Sequence, residues 1–254
     1  MKDGHAIVVV VQARMGSTRL PGKVLKPIGG RPMLAYLIER LRRVSRADGL
    51  VVATSTNPAD DAIAGYCASA GIACVRGPEH DVLARFVQAA RAHDAGTVVR
   101  ITADCPLIDP ELVDSAIQAF EGDGGRCDFV SNMLEPGWPL GMAVEVMSAS
   151  ALEEAAQEAV QEDEREHVTP FIWRQPARYR LRSLRTQPDR SRVRLTVDTP
   201  EDLELVTRIL VALHPRKPEF TLADVLELLQ ANPSWESLNR DVTQKTVTTA
   251  GTRR

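Results

Sequence analysis

The sequence predicts an α/β protein built on a mixed, mainly parallel sheet, and three features predict it. Short apolar runs of the kind buried on both sheet faces recur through the first half: Ile7 to Val11, Leu50 to Thr54, Ile72 to Val75 and Thr97 to Thr102. Amphipathic stretches separate them at βαβ spacing. The first run then breaks into a loop rich in glycine, hydroxyls and cations, in the place where parallel sheets bind ligands, beyond a strand's carboxyl end.

Each element has its own signal. Pro32 to Val44 sets Met33, Leu34, Leu37, Ile38 and Leu41 at helical spacing. Asn57-Pro58 caps a helix that ends near Gly71, and Gly77-Pro78 closes the third strand ahead of a helix over Val82 to His93. Asp109-Pro110-Glu111 caps another, running to about Phe120. The second half predicts strands at Asp128 to Asn132 and Ala143 to Met147, separated by the Pro/Gly/Trp segment Glu135 to Gly141. Ser150 and Glu153 read as a capping box for a helix to about Glu162, and a short helix follows over Thr169 to Trp173. Arg178 to Leu184 and Val193 to Val197 alternate as half-exposed strands, their arginines forming a solvated face. Thr199-Pro200-Glu201-Asp202 starts a helix through Leu213, and Thr221 with Asp224 caps a last one. The chain turns polar and threonine-rich near Ser237, the composition of a loose tail.

Composition removes several classes. A net charge of −3 gives no global attraction to nucleic acid or anionic lipid. No apolar stretch reaches membrane-spanning length, and the amino terminus lacks a secretory signal pattern. Cys67, Cys74, Cys105 and Cys127 make no CxxC pair, which argues against structural zinc and a disulfide framework and favours a reducing cytoplasm.

The loop after the first strand carries Ala13, Arg14, Gly16, Ser17, Thr18, Arg19, Gly22 and Lys23, the residue types of a polyphosphate cradle. It is not a Walker A motif: five residues separate Gly16 from Gly22, and Val24 stands where Ser or Thr belongs. No G-x-G-x-x-G follows any strand, which disfavours a dinucleotide-binding dehydrogenase.

Four motifs do match, in order: Q-A-R-M-G-S-T-R-L-P-G-K (12–23), R-I-T-A-D-C-P-L-I-D-P (100–110), E-R-E-H-V-T-P (164–170) and L-T-V-D-T-P-E-D-L (195–203). Together they resemble the cytidylyltransferases that activate sugar acids with CTP, the spore-coat-polysaccharide type most of all, alongside acylneuraminate and Kdo cytidylyltransferases. The resemblance implies a nucleotide-diphospho-sugar transferase fold, a Rossmann-like α/β/α sandwich. One nucleotidyltransferase domain is expected over 1–236: a nucleotide half to about 125, an acceptor and dimerisation segment over 126–192, and closing elements to 236, with 237–254 as tail.

The implied chemistry is Mg²⁺-dependent transfer of CMP from CTP to a small anionic acceptor. Arg14, Arg19 and Lys23 neutralise phosphate charge, Ser17 and Thr18 donate to its oxygens, and Asp104 and Asp198 hold Mg²⁺. By residue type alone, Asp104 and Asp198 read equally well as turn or helix-approach residues. Glu145, Arg165 and His167 are the acceptor-side candidates, although His167 equally suits capping or packing. Asp81 reads as a helix cap or a cytosine contact, and Asp109 as a cap. Where similar chains carry an acid two residues before the counterpart of Glu145, this one has Ala143, which predicts a less acidic acceptor pocket. A homodimer is implied, with its contact in the segment 128–185. Two rivals stand: a nucleotide-sugar glycosyltransferase, disfavoured because Asp104-Cys105-Pro106 lacks the second acid of Asp-x-Asp, and a non-catalytic nucleotide-binding protein, disfavoured by the intact charged set.

Overall fold

Five consecutive β-branched side chains make the central strand, β1 (Ala6–Gln12), which alternates its residues between two cores. Ile7, Val9 and Val11 enter one core and Val8 and Val10 the other, all nearly or fully buried. Burial of these five contributes about 10 kcal/mol, an upper bound that counts the unfolded chain as fully exposed. The computed structural model describes residues 6–122 and 127–244.

After β1 and its loop come a two-residue hairpin, β2 (Pro27–Ile28) and β3 (Arg31–Pro32), and helix α1 (Met33–Leu41). Then follow β4 (Gly49–Ser55), α2 (Asp61–Ser69), β5 (Ala73–Gly77), α3 (Val82–Ala92), β6 (Ala95–Thr102) and α4 (Pro110–Glu121). The second half supplies β7 (Phe129–Ser131), β8 (Glu145–Ser148), α5 (Ala149–Glu158), α6 (Glu162–His167), α7 (Pro170–Trp173) and β9 (Leu181–Ser183). It ends with α8 (Pro200–Leu213), α9 (Leu222–Ala231) and α10 (Pro233–Glu236).

The main sheet runs β5-β4-β1-β6-β8-β7-β9. Its first four strands are mutually parallel, whereas β8 runs antiparallel to both β6 and β7. Helices α1, α4, α8 and α9 pack with the Ile7–Val9–Val11 face, and α3, α5 and α7 with the Val8–Val10 face. The result is the expected α/β/α sandwich. Because β1, β4, β5 and β6 are parallel, the loops after Gln12, Ser55, Gly77 and Thr102 all leave from one edge.

Several expectations shift. The helix expected to start at Ser150 is capped two residues earlier, by the Ser148 hydroxyl accepting from Ala151 N, and it ends at Glu158. Arg178 to Leu184 yields only the three residues of β9. Val193 to Val197 forms no sheet strand: its backbone instead bonds to Leu140 on one side and, through Val197 N, to Asp104 O at 2.8 Å. Nor is 237–244 loose. Asn239 is buried and donates to Arg194 O at 3.1 Å and Asp202 Oδ1 at 2.8 Å. The remainder of the expected tail, 245–254, lies outside the described residues.

Candidate active site

The loop after β1 and the turn after β6 meet at one edge of the sheet. Ala13 N donates to Ala53 O and Ala103 N to Gln12 O, so the loop after β1 and the turn after β6 leave the sheet side by side. The loop folds tightly on itself, with Ser17 N and Gly22 N both donating to Met15 O. Gly22 has φ +68°, a left-handed conformation that glycine accepts without strain and that delivers Lys23 into the interior. A Cβ on Gly16 would meet nothing within 4 Å, and Gly16 and Thr18 are exposed. The Ser17 hydroxyl accepts from Leu20 N.

One acid moors this loop. Asp60 is buried, takes Met15 N at 2.7 Å on Oδ1, and takes Ser55 N and the Ser55 hydroxyl on Oδ2. Nothing in the spacing marks it out, since Asn57-Pro58-Ala59-Asp60 reads as a helix start. Asp60→Ala leaves the Met15 and Ser55 donors without their acceptor. The expected result is an about tenfold rise in nucleotide KM with a smaller change in kcat, read in steady-state kinetics.

At the centre stands Lys23, only 8% exposed. Its Nζ donates to Asp104 Oδ2 at 3.1 Å, Asp198 Oδ1 at 2.9 Å and Val197 O at 2.7 Å. Asp198 Oδ2 pairs with Arg19 at 3.0 Å and Arg194 at 2.9 Å. Arg194 also makes a two-pronged pair with the fully buried Asp202, which caps α8 and receives Asp198 N. Asp104 and Asp198 therefore lie against Lys23, and the expected solvated face fails at Arg194, which is buried. Exposed Arg180 and Arg182 keep that reading.

The electrostatics follow from this packing. Burial alone would lower the Lys23 pKa, but Asp104 and Asp198 hold it above the ordinary lysine value. Burial likewise opposes ionisation of Asp198 and Asp202, yet Lys23 and Arg19 at the first and Arg194 at both keep them below the usual carboxylate value. Carboxylates with depressed pKa stabilise the fold in full above the unfolded value of about 3.9, and that contribution is lost as pH falls through the folded value. The raised Lys23 loses its contribution only in strong alkali. Melting temperature is thus expected to fall on acidification below about pH 4. In Arg194→Gln that acid-dependent loss should be smaller, because Asp202 keeps its burial and loses its cation, so its folded pKa rises toward the unfolded value.

A hard divalent cation fits the donor set. Asp104 and Asp198 present carboxylate oxygens to one point, and among the described residues no cluster of three or more metal-ligating side chains exists. Two carboxylates completed by phosphate oxygens and water are what Mg²⁺ takes.

Of the residues expected near the acceptor, Glu145 faces Arg100 across β8 and β6 as an ion pair. Thr169 donates to Glu145 at 2.8 Å, and Arg100 reaches Gln12 at 3.1 Å. Arg14 pairs with Glu166 at 3.2 Å. Between His167 and Thr169 the chain makes a γ-turn centred on Val168 (φ +72°, ψ −52°), closed by Thr169 N donating to His167 O at 2.8 Å. A buried β-branched residue in that conformation costs about 1–3 kcal/mol, strain of the kind that collects at functional sites. The His167 ring is half-buried; burial, with Arg100 and Arg14 nearby, holds its pKa below the usual value against the pull of Glu166 and Asp163, so it is neutral at pH 7.

Arg165 is engaged within the fold. Its Nε and Nη2 bind Asp81 Oδ2 at 2.9 and 2.5 Å, and Nη1 donates to Ala156 O and Ala159 O, so the guanidinium ties α6 to α3 and α5. Asp81 caps α3, its other oxygen accepting from Ala84 N. Asp109 also caps as expected, and its second oxygen accepts from Leu222 N at 2.6 Å.

With this geometry in place, the comparisons are direct. A model of the cytidylyltransferase family matches residues 8–245. The chain is 38% identical over 235 residues to the spore coat polysaccharide biosynthesis protein SpsF of Bacillus subtilis, covering 89% of this chain and 95% of that one. Its fold resembles a cytidylyltransferase from Leptospira borgpetersenii at a TM-score of 0.87 and 31% identity, covering 95% and 99% of the two chains. A structure of CMP:2-keto-3-deoxy-manno-octonic acid synthetase with CTP, 20% identical, shares the fold at a TM-score of 0.63 over 82% of this chain and 99% of that one. The nucleotide-diphospho-sugar transferase fold implied by the motifs is the fold present.

Proposed function

The chain belongs to the cytidylyltransferase family, and we propose that it transfers CMP from CTP to a small anionic acceptor with release of pyrophosphate. The observation that carries the reading is the meeting of Lys23 and Arg19 from the phosphate loop with two strand-end carboxylates, Asp104 and Asp198. Phosphoryl chemistry of this kind needs little covalent help from protein. It needs the α-phosphorus held in line with the attacking oxygen and the leaving charge neutralised.

Each residue then has a task. Arg14, Arg19 and Lys23 neutralise the triphosphate, and the backbone from Ala13 through Thr18 wraps it. The acceptor oxygen forms its bond to the α-phosphorus as the bond to the β-phosphate oxygen breaks, and the electron pair leaves with pyrophosphate. A divalent cation, Mg²⁺ by donor type, would be held by Asp104 and Asp198 and would supply charge stabilisation and a more acidic acceptor hydroxyl. Glu145, paired with Arg100, and the neutral His167 offer acceptors for hydroxyl groups of the attacking molecule. A homodimer through 128–185 and a cytoplasmic location belong to the same proposal, and sedimentation of the full chain tests the first.

The test is product release with each of the four nucleoside triphosphates across a panel of sugar acids, phosphosugars and phosphonates. Pyrophosphate from CTP alone is expected. Release of a nucleoside diphosphate from a nucleotide sugar would select the glycosyltransferase rival. In the same panel, Ala143→Asp should shift preference toward less anionic acceptors, since Ala143 is partly exposed two residues from Glu145. An unchanged acceptor profile would remove Ala143 from the specificity argument.

A further inference from the structure

Two of the three cations assigned to the triphosphate, Lys23 and Arg19, are turned inward onto acids. All three protons of the Lys23 ammonium have acceptors: Asp104 Oδ2, Asp198 Oδ1 and Val197 O. Arg19 divides itself between Asp198 and the Thr243 carbonyl, which it reaches at 3.2 Å. Arg194 holds Asp198 and Asp202 and also reaches the Gln244 side chain at 2.5 Å. Three acids, Asp104, Asp198 and Asp202, thus face three cations, Lys23, Arg19 and Arg194. Both oxygens of Asp198 are taken.

We propose that Lys23 is a stand-in cation: without nucleotide its ammonium fills the place between Asp104 and Asp198, and a divalent cation enters only as the triphosphate draws Lys23 away. This rests on the nucleotidyl-transfer reading of the same site. An ammonium and a divalent cation cannot share a position bonded to the same two oxygens, because they repel strongly at such separations in a partly buried site. A lysine suits the exchange, since its charge rides on a flexible four-carbon stem and can swing from carboxylate to phosphate. The neutral cluster also leaves little residual field to attract a free cation. Metal and nucleotide therefore bind cooperatively, each raising the other's affinity by the same factor.

The test uses Mn²⁺ alone as probe on the full chain, with free Mn²⁺ read by electron paramagnetic resonance and no nucleotide present. Wild type should bind weakly. Lys23→Met should bind Mn²⁺ at least tenfold more tightly, and adding Asp198→Asn to it should abolish the gain. Lys23→Gln serves as a second variant, with circular dichroism confirming the fold of each. Equal Mn²⁺ affinity in wild type and both folded Lys23 variants overturns the proposal. That failure is distinct from failure of the functional reading, which the wild-type pyrophosphate assay decides alone. A wild type that releases pyrophosphate while its Lys23 variants gain no Mn²⁺ affinity refutes the stand-in and keeps the transferase.

Discussion

Asp198→Asn is expected to lower kcat/KM for pyrophosphate release by about a hundred- to a thousandfold while the protein stays folded. The substitution keeps shape and one acceptor oxygen but removes the charge to which Lys23, Arg19 and Arg194 are all bonded. Lys23 then loses half of its carboxylate frame, and the donor set for a divalent cation falls from two carboxylates to one. Stability changes less, because Arg194 retains its two-pronged pair with Asp202, and Asp202 retains its cap on α8. Asp109→Asn is the control. It is the same chemical change at an aspartate just beyond the turn that carries Asp104, but both Asp109 oxygens serve backbone N–H groups of α4 and α9. It should cost about 1 kcal/mol of stability and leave kcat/KM unchanged. Pyrophosphate release and melting temperature on both variants make the comparison. Equal rate losses in the two would mean that Asp198 acts only through the fold.

What the sequence makes legible follows from how local each signal is. β1 is readable because five β-branched residues admit one structure, and the phosphate loop because so few loops combine its residue types. The caps at Asp81, Asp109, Thr199 and Thr221 are readable because a cap needs only its own next three residues. Long-range roles are not local. Arg165 looks like a free cation in an acceptor motif, yet Asp81 from another helix claims it. Arg194 alternates with apolar neighbours as an exposed strand residue would, and only the fold brings Asp198 and Asp202 onto it from one side and Gln244 from the other. Asp60 is hidden for the same reason: its partners are Met15, in the loop after β1, and Ser55, at the end of β4. Lys23 is the instructive case. Its motif names its charge, but not that the charge is already neutralised by the acids expected to bind metal.

Gly141→Ala is expected to be the most damaging glycine-to-alanine change among the described residues. Gly141 lies at φ +97°, where an L side chain is strained, and a Cβ there would stand 2.5 Å from Leu195 C and Thr196 N and 2.8 Å from Leu195 O. These are backbone atoms, so no rotamer relieves the contact. The 193–197 segment would have to move as a whole, yet it is held between Leu140 on one side and Asp104 O on the other. Strain and overpacking together cost about 3–5 kcal/mol, which for a chain of this size is a melting-temperature loss of about 10 °C. Activity should fall further than the folded fraction does, because Val197 and Asp198 supply two of the three acceptors that hold Lys23. Gly16→Ala separates this from a general intolerance of glycine replacement. Its Cβ would meet nothing within 4 Å, so its melting temperature should match wild type, and any effect should appear as a raised nucleotide KM. Calorimetry and steady-state kinetics on the two variants distinguish a glycine needed for packing from one kept open for the ligand. A Gly141→Ala protein with wild-type melting and turnover would mean that the 193–197 segment is free to shift, and that Asp198 does not depend on its position.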